Sequence, residues 1–222
     1  FWMWVMALIG SSSSFVESTL AQIYKVKEGD HFRGGPAYYM EKALGKRWMG
    51  VVFSILISIT FGLIFNSVQA NTVSFAFEKA FNINRMYLGI AISTATAIII
   101  FGGVKRIARA VEYIVPVMAV AYVAVALFVL VKNFTMIPSV IESIVSNALG
   151  FKQAVGGGLG VVIMQGVKRG LFSNEAGMGS APNAAATANV THPVKQGLIQ
   201  TLGVFTDTIL ICSATAFIIL MS

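Results

Sequence analysis

Charged residues are scarce in this chain: they make up 11% of its 222 residues, whereas hydrophobic residues make up 56%. The mean hydropathy is +0.78. A typical soluble domain carries about 25% charged residues, so the composition excludes that class and predicts an integral membrane protein. The net charge of +7 would favour a nucleic-acid partner in a soluble domain. Here the basic residues follow the loops between apolar runs, so we expect membrane topology and no nucleic acid to explain them.

Cysteine and histidine are scarcer still. The one cysteine, Cys212, lies in an apolar run and has no partner for an internal disulfide, so we expect it to be a small buried residue. The two histidines, His31 and His192, lie in polar segments, and no HExxH or CxxC spacing occurs. The serine run at 11–14 has no histidine in an apolar stretch to act as its base. We therefore expect no enzyme, no cofactor and no metal site of these residue types.

Uncharged runs define six candidate membrane spans. A helix that crosses a hydrocarbon core of about 30 Å needs about 20 mostly apolar residues. The runs of this kind lie at about residues 1–24, 48–77, 86–104, 113–131, 151–167 and 198–220. Pro116 is expected in the first turn of the fourth span, where its missing N–H costs little. The amphipathic segment 137–149 is predicted to be a helix lying along the membrane interface.

Basic residues concentrate in alternate loops. Twelve of them lie in loops 25–47, 105–109 and 168–195, and the other four are Lys79, Arg85, Lys132 and Lys152. The positive-inside rule therefore places those three loops in the cytoplasm. The last of them is predicted to be structured, with a short helix that starts at 180–182 and stops at His192. Because the chain opens abruptly inside an apolar run, we expect it to be cut from a longer parent.

A few polar residues interrupt the spans. The amides of Asn66, Gln69 and Asn71 in the second span can bind both an ammonium and a carboxylate, but polar side chains also join membrane helices, and both interpretations stay open. A charge within a span costs about 2.5 to 3.5 kcal/mol at the helix centre. Glu17, near the inner boundary, is predicted to pair with the basic loop. Asp207, nearer the middle, is a candidate for coupling or gating, as are Asn66 and Asn71.

The fifth span contains a glycine cluster, Gly156-Gly157-Gly158-Leu159-Gly160. Each glycine weakens a helix by about 1 kcal/mol relative to alanine. The spacing from Gly156 to Gly160 also fits a GxxxG packing motif, but four glycines in five residues favour a locally unwound helix. Unwound backbone is tolerated at membrane depth only where it lines a cavity, as in transporters. The polar, glycine-rich segment 165–185 that follows is predicted to be a functional hinge.

Four motifs occur together in this chain: GVKRGLFSNEAGMGSAPNAAATA, the opening FWMWVMALIG, GGPAYYM and NSVQAN. The sequence resembles the alanine or glycine:cation symporter family, the sodium:alanine symporters. That resemblance implies an all-α, LeuT-like fold of two inverted five-helix repeats in the cell membrane, which imports small neutral amino acids with Na⁺ by alternating access. The six spans would be the second to seventh helices of the family. The principal Na⁺ site is expected between the first and eighth helices, so no metal ligand is assigned here.

The resemblance also implies which residues bind substrate. Gln69 is expected to contact the amino acid, and one wall of its site is expected at Gly157, Gly158, Gly160, Ile163 and Met164. The expected partners are a small neutral amino acid, Na⁺ and the lipid bilayer, with the oligomeric state left open. The alternatives are a membrane channel, a structural subunit or a related LeuT-like carrier of another small solute. A channel would need a polar lining repeated round an oligomer, and the spans offer only isolated charges.

Overall fold

The computed structural model describes residues 1–29, 31–149 and 158–221, which form helices and one short hairpin. The helices are α1 (Trp2–Ile23), α2 (Pro36–Lys42), α3 (Arg47–Ile59), α4 (Asn66–Phe81), α5 (Arg85–Ile100), α6 (Gly103–Lys132), α7 (Ile137–Ala148), α8 (Gly158–Asn174), α9 (Ser180–Thr187), α10 (Pro193–Phe205) and α11 (Cys212–Met221). Strands β1 (Val26–Glu28) and β2 (His31–Arg33) pair antiparallel, with Lys27 opposite Phe32. The predicted helical class is confirmed, and the hairpin is an addition to it.

Two π-helical turns each join two α-helices into one longer helix. The turn Thr60–Phe65 joins α3 to α4, and the turn Thr206–Ile211 joins α10 to α11. Together with α6, this gives three helices in the described part of the chain that are long and apolar enough to cross a membrane: Arg47–Phe81, Gly103–Lys132 and Pro193–Met221. The apolar α5 is shorter. These lengths fit a membrane protein, and the arrangement of six spans stays a prediction.

Helix α6 begins earlier than the sequence predicted. We expected Lys105, Arg106 and Arg109 in a loop and Pro116 in the first turn of a helix. Instead the helix includes all three basic residues, and Pro116 lies in its interior, so both expectations are wrong. The turn before α6 is made at Gly103, which has a φ of +75° that glycine adopts without strain. Lysine and arginine are good helix formers, so the helix continues through them.

The segment after α8 also differs from its prediction. Helix α9 begins at Ser180, the predicted start, but it ends at Thr187 and does not continue to His192. His192 is instead the N-cap of α10, where its Nδ1 accepts a hydrogen bond from the Val194 N–H at 3.3 Å. The sequence predicted that a helix stops at this His-Pro pair. Proline is also common at the first position of a helix, so the same pair marks the start of α10 instead.

The chain divides into two compact units, residues 1–53 with 123–222 and residues 54–122. In the first unit α1 is the central helix, and it packs against α8, α9 and α10. Its buried face repeats every three to four residues and consists of small or polar side chains: Ala7, Gly10, Ser11, Ser14, Glu17, Ser18 and Ala21. Small side chains let helices approach closely, which is how helices associate in membranes.

The second unit contains α4 and α5, which pack against each other. The chain turns between them at Asn82, whose φ of 54° is left-handed. Glu78 and Arg85 form a salt bridge of 2.5 Å across this turn. The turn therefore fixes how α4 and α5 meet.

Candidate functional site

Helices α8 and α9 are separated by a break at residues 175–179. Three residues in the break have left-handed backbone: Glu175 with φ 52°, Gly177 with φ 80° and Gly179 with φ 83°. The hydroxyl of Ser180 donates a hydrogen bond of 2.5 Å to Glu175 Oε2 across the break. Left-handed conformations cannot continue a right-handed helix, so the chain must start a new helix at Ser180. We call residues 175–179 the α8–α9 break.

Helix α1 packs directly on this break. The carboxylate of Glu17, which is 8% exposed, accepts a hydrogen bond of 2.9 Å from the Gly177 N–H. At Gly10 a Cβ would lie 3.1 Å from Ala176 Cβ, so glycine allows the close approach of α1. Glu17 forms no salt bridge with any of the described residues. The predicted pairing of Glu17 with the basic loop is therefore wrong, because a backbone N–H of the break takes its place.

Two buried polar atoms in this region have no partner in the described part of the chain: Ser18 Oγ and Asn174 Nδ2. Ser18 follows Glu17 on α1, and Asn174 is the last residue of α8. A buried polar atom without a hydrogen bond costs about 1 to 3 kcal/mol, and native proteins leave few of them. A small polar ligand, an ion or water would remove this cost. The orphaned atoms therefore make the α8–α9 break a candidate binding site.

The far end of α9 is held by α1 as well. The amide of Gln22 donates to the carbonyl oxygens of Ala185 and Ala188, at 2.5 and 3.0 Å. The ammonium of Lys25 donates to the same Ala188 oxygen at 2.8 Å and lies 4.1 Å from the ring centroid of Phe32. Burial lowers the pKa of Lys25. The last carbonyls of a helix need such donors, so α1 holds α9 at both ends.

A second polar group, the Asp207 cluster, consists of Asp207, Ser173 and Cys212. The hydroxyl of Ser173 donates to Asp207 Oδ2 at 2.5 Å and lies 3.0 Å from Cys212 Sγ. Asp207 lies in the π-helical turn Thr206–Ile211, and such turns are frequent at functional sites. This cluster therefore ties α8 to the helix formed by α10 and α11.

A cavity of about 160 Å³ lies beside the Asp207 cluster. It is lined by Trp4, Thr208, Cys212, Ser213 and other, mostly apolar residues. The indole N–H of Trp4 donates to Ser213 Oγ at 2.8 Å, which joins the start of α1 to α11. The cavity is lined from α1, α7, the π-helical turn and α11, and Cys212 of its lining contacts Ser173 of α8.

The predicted glycine wall lies at the start of α8. Gly158 and Gly160 are helical there, so the unwinding predicted at the cluster is not found at these two residues, and Gly157 lies outside the described residues. Ile163 is partly buried and Met164 is 44% exposed. The break lies instead at residues 175–179, inside the glycine-rich segment 165–185 that was predicted to be a hinge. The sequence signal for the exact position of the break is the pair Gly177 and Gly179, which lie just before the predicted helix start at Ser180.

Gln69, Asn66 and Asn71 lie on α4, in the second unit, and all three side chains are exposed. Asn66 Nδ2 donates to the Gly62 carbonyl of its own helix at 3.2 Å. Asn66 and Gln69 are three residues apart and share a face of the helix. Because α4 and α8 belong to different units, a pairing of Gln69 with the glycine wall stays a prediction.

The chain is similar to known carriers along its whole length. The family model of the sodium:alanine symporter family matches residues 1–222. A probable sodium/glutamine symporter of Bacillus subtilis is 66% identical over 222 residues, covering 100% of this chain and 46% of that protein. An amino-acid carrier protein of the same organism is 62% identical over 221 residues, covering 100% and 48%. A sodium/proton-dependent alanine carrier protein of Bacillus sp. strain PS3 is 38% identical over 222 residues, covering 100% and 50%.

The chain spans about half the length of the curated relatives that it matches. The resemblance inferred from the four motifs is confirmed by the family match, which includes every residue. The family is one of symporters, and the relatives are named as carriers, so the prediction that the chain is not an enzyme is also confirmed. The chain therefore belongs to the sodium:alanine symporter family.

Proposed function

We propose that the protein containing this chain imports a small neutral amino acid together with Na⁺, as a multi-pass carrier of the cell membrane. Na⁺-coupled amino-acid symport is the activity for which the family and several relatives are named. The observation in this chain that carries the proposal is the α8–α9 break, which is buried against α1 beside orphaned polar atoms. We further propose a LeuT-like fold that works by alternating access.

The α8–α9 break follows the predicted fifth span, and a helix break beside a span favours a carrier for a physical reason. Irregular backbone in a membrane must be paired inside the protein or must line a water-filled cavity. Secondary transporters place substrate and ion at such discontinuous helices. Here the Gly177 N–H is paired with Glu17, whereas Asn174 Nδ2 remains as a free donor and Ser18 Oγ as a donor or acceptor. The carboxylate of an amino acid could accept from either atom, and its ammonium could donate to Ser18 Oγ.

Two groups of residues complete the proposed machinery. Gln69 contacts the substrate, and Gly157, Gly158, Gly160, Ile163 and Met164 form one wall of its site. Asp207 couples the motion of α8 to that of α10 and α11, because the Ser173 hydroxyl bridges these helices through the Asp207 carboxylate. Asn66 and Asn71 act in coupling or gating beside Gln69.

The test is uptake of radiolabelled alanine into proteoliposomes that contain the full protein, with and without an inward Na⁺ gradient. Glycine, glutamine and leucine are added as competitors, because one relative is named for glutamine and another for alanine. We expect accumulation driven by the gradient and competed by glycine. Uptake that glutamine alone suppresses would contradict the small-substrate proposal. Uptake that neither saturates nor depends on Na⁺ would favour the channel alternative.

Gln69 gives a residue-level form of the same test. Gln69→Ala removes an amide whose hydrogen bonds to substrate are worth about 1.5 kcal/mol, so we expect uptake to fall about tenfold at low substrate concentration. Gln200→Ala on α10 is the matched control, because it removes the same side chain outside the proposed site. Equal uptake by the two variants would show that Gln69 does not contact substrate.

A further inference from the structure

Three basic residues, Lys105, Arg106 and Arg109, form an exposed group in the first two turns of α6. We call them the α6 basic cluster. Elsewhere in the described part of the chain, three arginines pair with carboxylates, Arg33 with Glu28, Arg47 with Glu41 and Arg85 with Glu78. None of these salt bridges involves the α6 basic cluster. A carboxylate lies nearby in the sequence, at Glu112, but it does not form a salt bridge with Arg109. Three neighbouring positive charges therefore lie together without a carboxylate that neutralises them.

The cluster lines a groove and does not simply project from a smooth helix. The groove has a volume of about 530 Å³ and is lined by Gly102, Lys105, Arg106, Arg109, Ala110 and Tyr113. The side chain of Arg106 lies against Gly102, where a Cβ would collide with Arg106 Cδ. The absence of a side chain at Gly102 therefore lets Arg106 lie here, and Ala110 is a small residue of the same lining. The groove is thus built from two small residues and three cations.

The surroundings of the groove are apolar. Helix α6 is apolar enough to cross a membrane, and the cluster lies in its first turns. Phe101 is 91% exposed, Tyr113 is 71% exposed and Val104 is 57% exposed. Aromatic residues beside a span prefer the membrane interface. The groove therefore offers positive charge at headgroup level next to apolar surface that acyl chains can cover.

We propose that the α6 basic cluster and its groove bind the phosphate headgroup of an anionic phospholipid. The two guanidinium groups can each hold phosphate oxygens through paired hydrogen bonds, and the Lys105 ammonium adds a point charge. The acyl chains lie along the exposed apolar side chains at the start of α6. Free phosphate offers the same oxygens, but it covers none of this apolar surface.

The test is native mass spectrometry of the full protein, purified in detergent and titrated with phosphatidylglycerol or with phosphatidylcholine. We expect phosphatidylglycerol to bind and phosphatidylcholine not to bind at this site. A basic residue near the membrane contributes about 1 kcal/mol to anionic-lipid binding, which is about fivefold in affinity. Replacing Lys105, Arg106 and Arg109 together by glutamine is therefore expected to weaken phosphatidylglycerol binding about a hundredfold.

Two further variants separate the groove from charge in general. Replacing Lys27, Lys42 and Lys46 by glutamine removes the same number of positive charges from loop 25–47, which is predicted to lie on the same side of the membrane. Phosphatidylglycerol binding should be retained in this variant. Gly102→Val keeps all three charges but fills the groove against Arg106, and it should weaken binding as well. Equal losses in the two triple variants would overturn the proposal. Displacement of the lipid by inorganic phosphate at equal concentration would overturn the assignment to a lipid.

Discussion

Glu17 lies where α1 meets the α8–α9 break, and it accepts the Gly177 N–H at 2.9 Å. Glu17→Ala leaves that buried N–H without a partner, which we expect to lower the free energy of unfolding by about 1 to 3 kcal/mol. The melting temperature in detergent should fall by several degrees. Glu17→Gln keeps an acceptor oxygen, so it should lower the melting temperature less than Glu17→Ala does. Glu142→Ala, at an exposed position of α7, is the control, and a melting temperature lowered equally in both alanine variants would contradict the role of Glu17.

Tyr39 of α2 is half-buried, and burial together with the charge of Glu17 raises its pKa from 10.0 to about 12. A raised pKa means that the folded state disfavours the phenolate. The contribution of Tyr39 to stability is thus complete below pH 10 and is lost as the pH rises from about 10 to 12, by at most about 1 kcal/mol at this exposure. Phenolate absorbance should show a component near pH 12 that Tyr39→Phe removes and Tyr38→Phe retains.

At the residue scale, the sequence indicated that Glu17 and Asp207 need partners but did not identify them. The partner of Glu17 is a backbone N–H 160 residues away, and that of Asp207 is a hydroxyl 34 residues away. Counting charges locates only side chains of opposite sign, so the basic loop was the natural expectation for Glu17. Backbone donors become visible only when the left-handed residues of the break are known.

At the scale of elements, the packing of α1 on α10 depends on one of two glycines in the same helix. A Cβ at Gly197 would meet Thr19 Oγ1 and would lie 2.9 Å from the Phe15 carbonyl oxygen, whereas a Cβ at Gly203 would meet nothing within 4 Å. Alanine favours a helix by about 1 kcal/mol over glycine, but overpacking costs about 1 to 3 kcal/mol. We expect Gly203→Ala to raise the melting temperature or leave it unchanged, and Gly197→Ala to lower it. The same shift in both variants would show that α1 does not contact α10 at Gly197.

Elements with a clear periodicity were predictable. The amphipathic pattern at 137–149 corresponds to α7, Ile137–Ala148, and α9 begins at Ser180, where the Ser-Ala-Pro sequence predicted a helix start. The α8–α9 break lies inside segment 165–185, which was predicted to be a hinge. Its residues within that segment and the start of α6 were not predicted, because both depend on glycines in left-handed backbone. Glycine is compatible with helix and with turn alike, so its position in the sequence does not say which conformation it adopts.

At the scale of the whole molecule, the charge distribution predicts which loops share a side of the membrane. In a background of the full protein from which Cys212 and any further native cysteine are removed, single cysteines replace Lys42, Lys132 and Lys195, all of which are exposed. The positive-inside rule places Lys132 outside and the other two in the cytoplasm. A membrane-impermeant maleimide should therefore label Lys132→Cys in intact cells, and the other two variants only after permeabilisation. Labelling of Lys42→Cys in intact cells would reverse the predicted orientation.

The class of protein was the most predictable property, because scarce charge and long apolar runs exclude soluble folds without any knowledge of contacts. The family followed from motifs and was confirmed over all residues. The functional site was harder to predict from the sequence. Gln69 and the glycine wall remain predictions. The sequence predicted a hinge over 165–185, and the backbone conformation of the structure narrows the break to residues 175–179.

The π-helical turn Thr206–Ile211 sets the angular phase between α10 and α11. A π-helical turn holds one residue more than the α-helical turn it replaces, and one residue rotates an α-helix by about 100°. Deleting a single residue from this turn would restore regular winding and would swing Cys212 and Ser213 away from Ser173 and Trp4, their partners at 3.0 and 2.8 Å. The two halves of this long helix can thus face different neighbours.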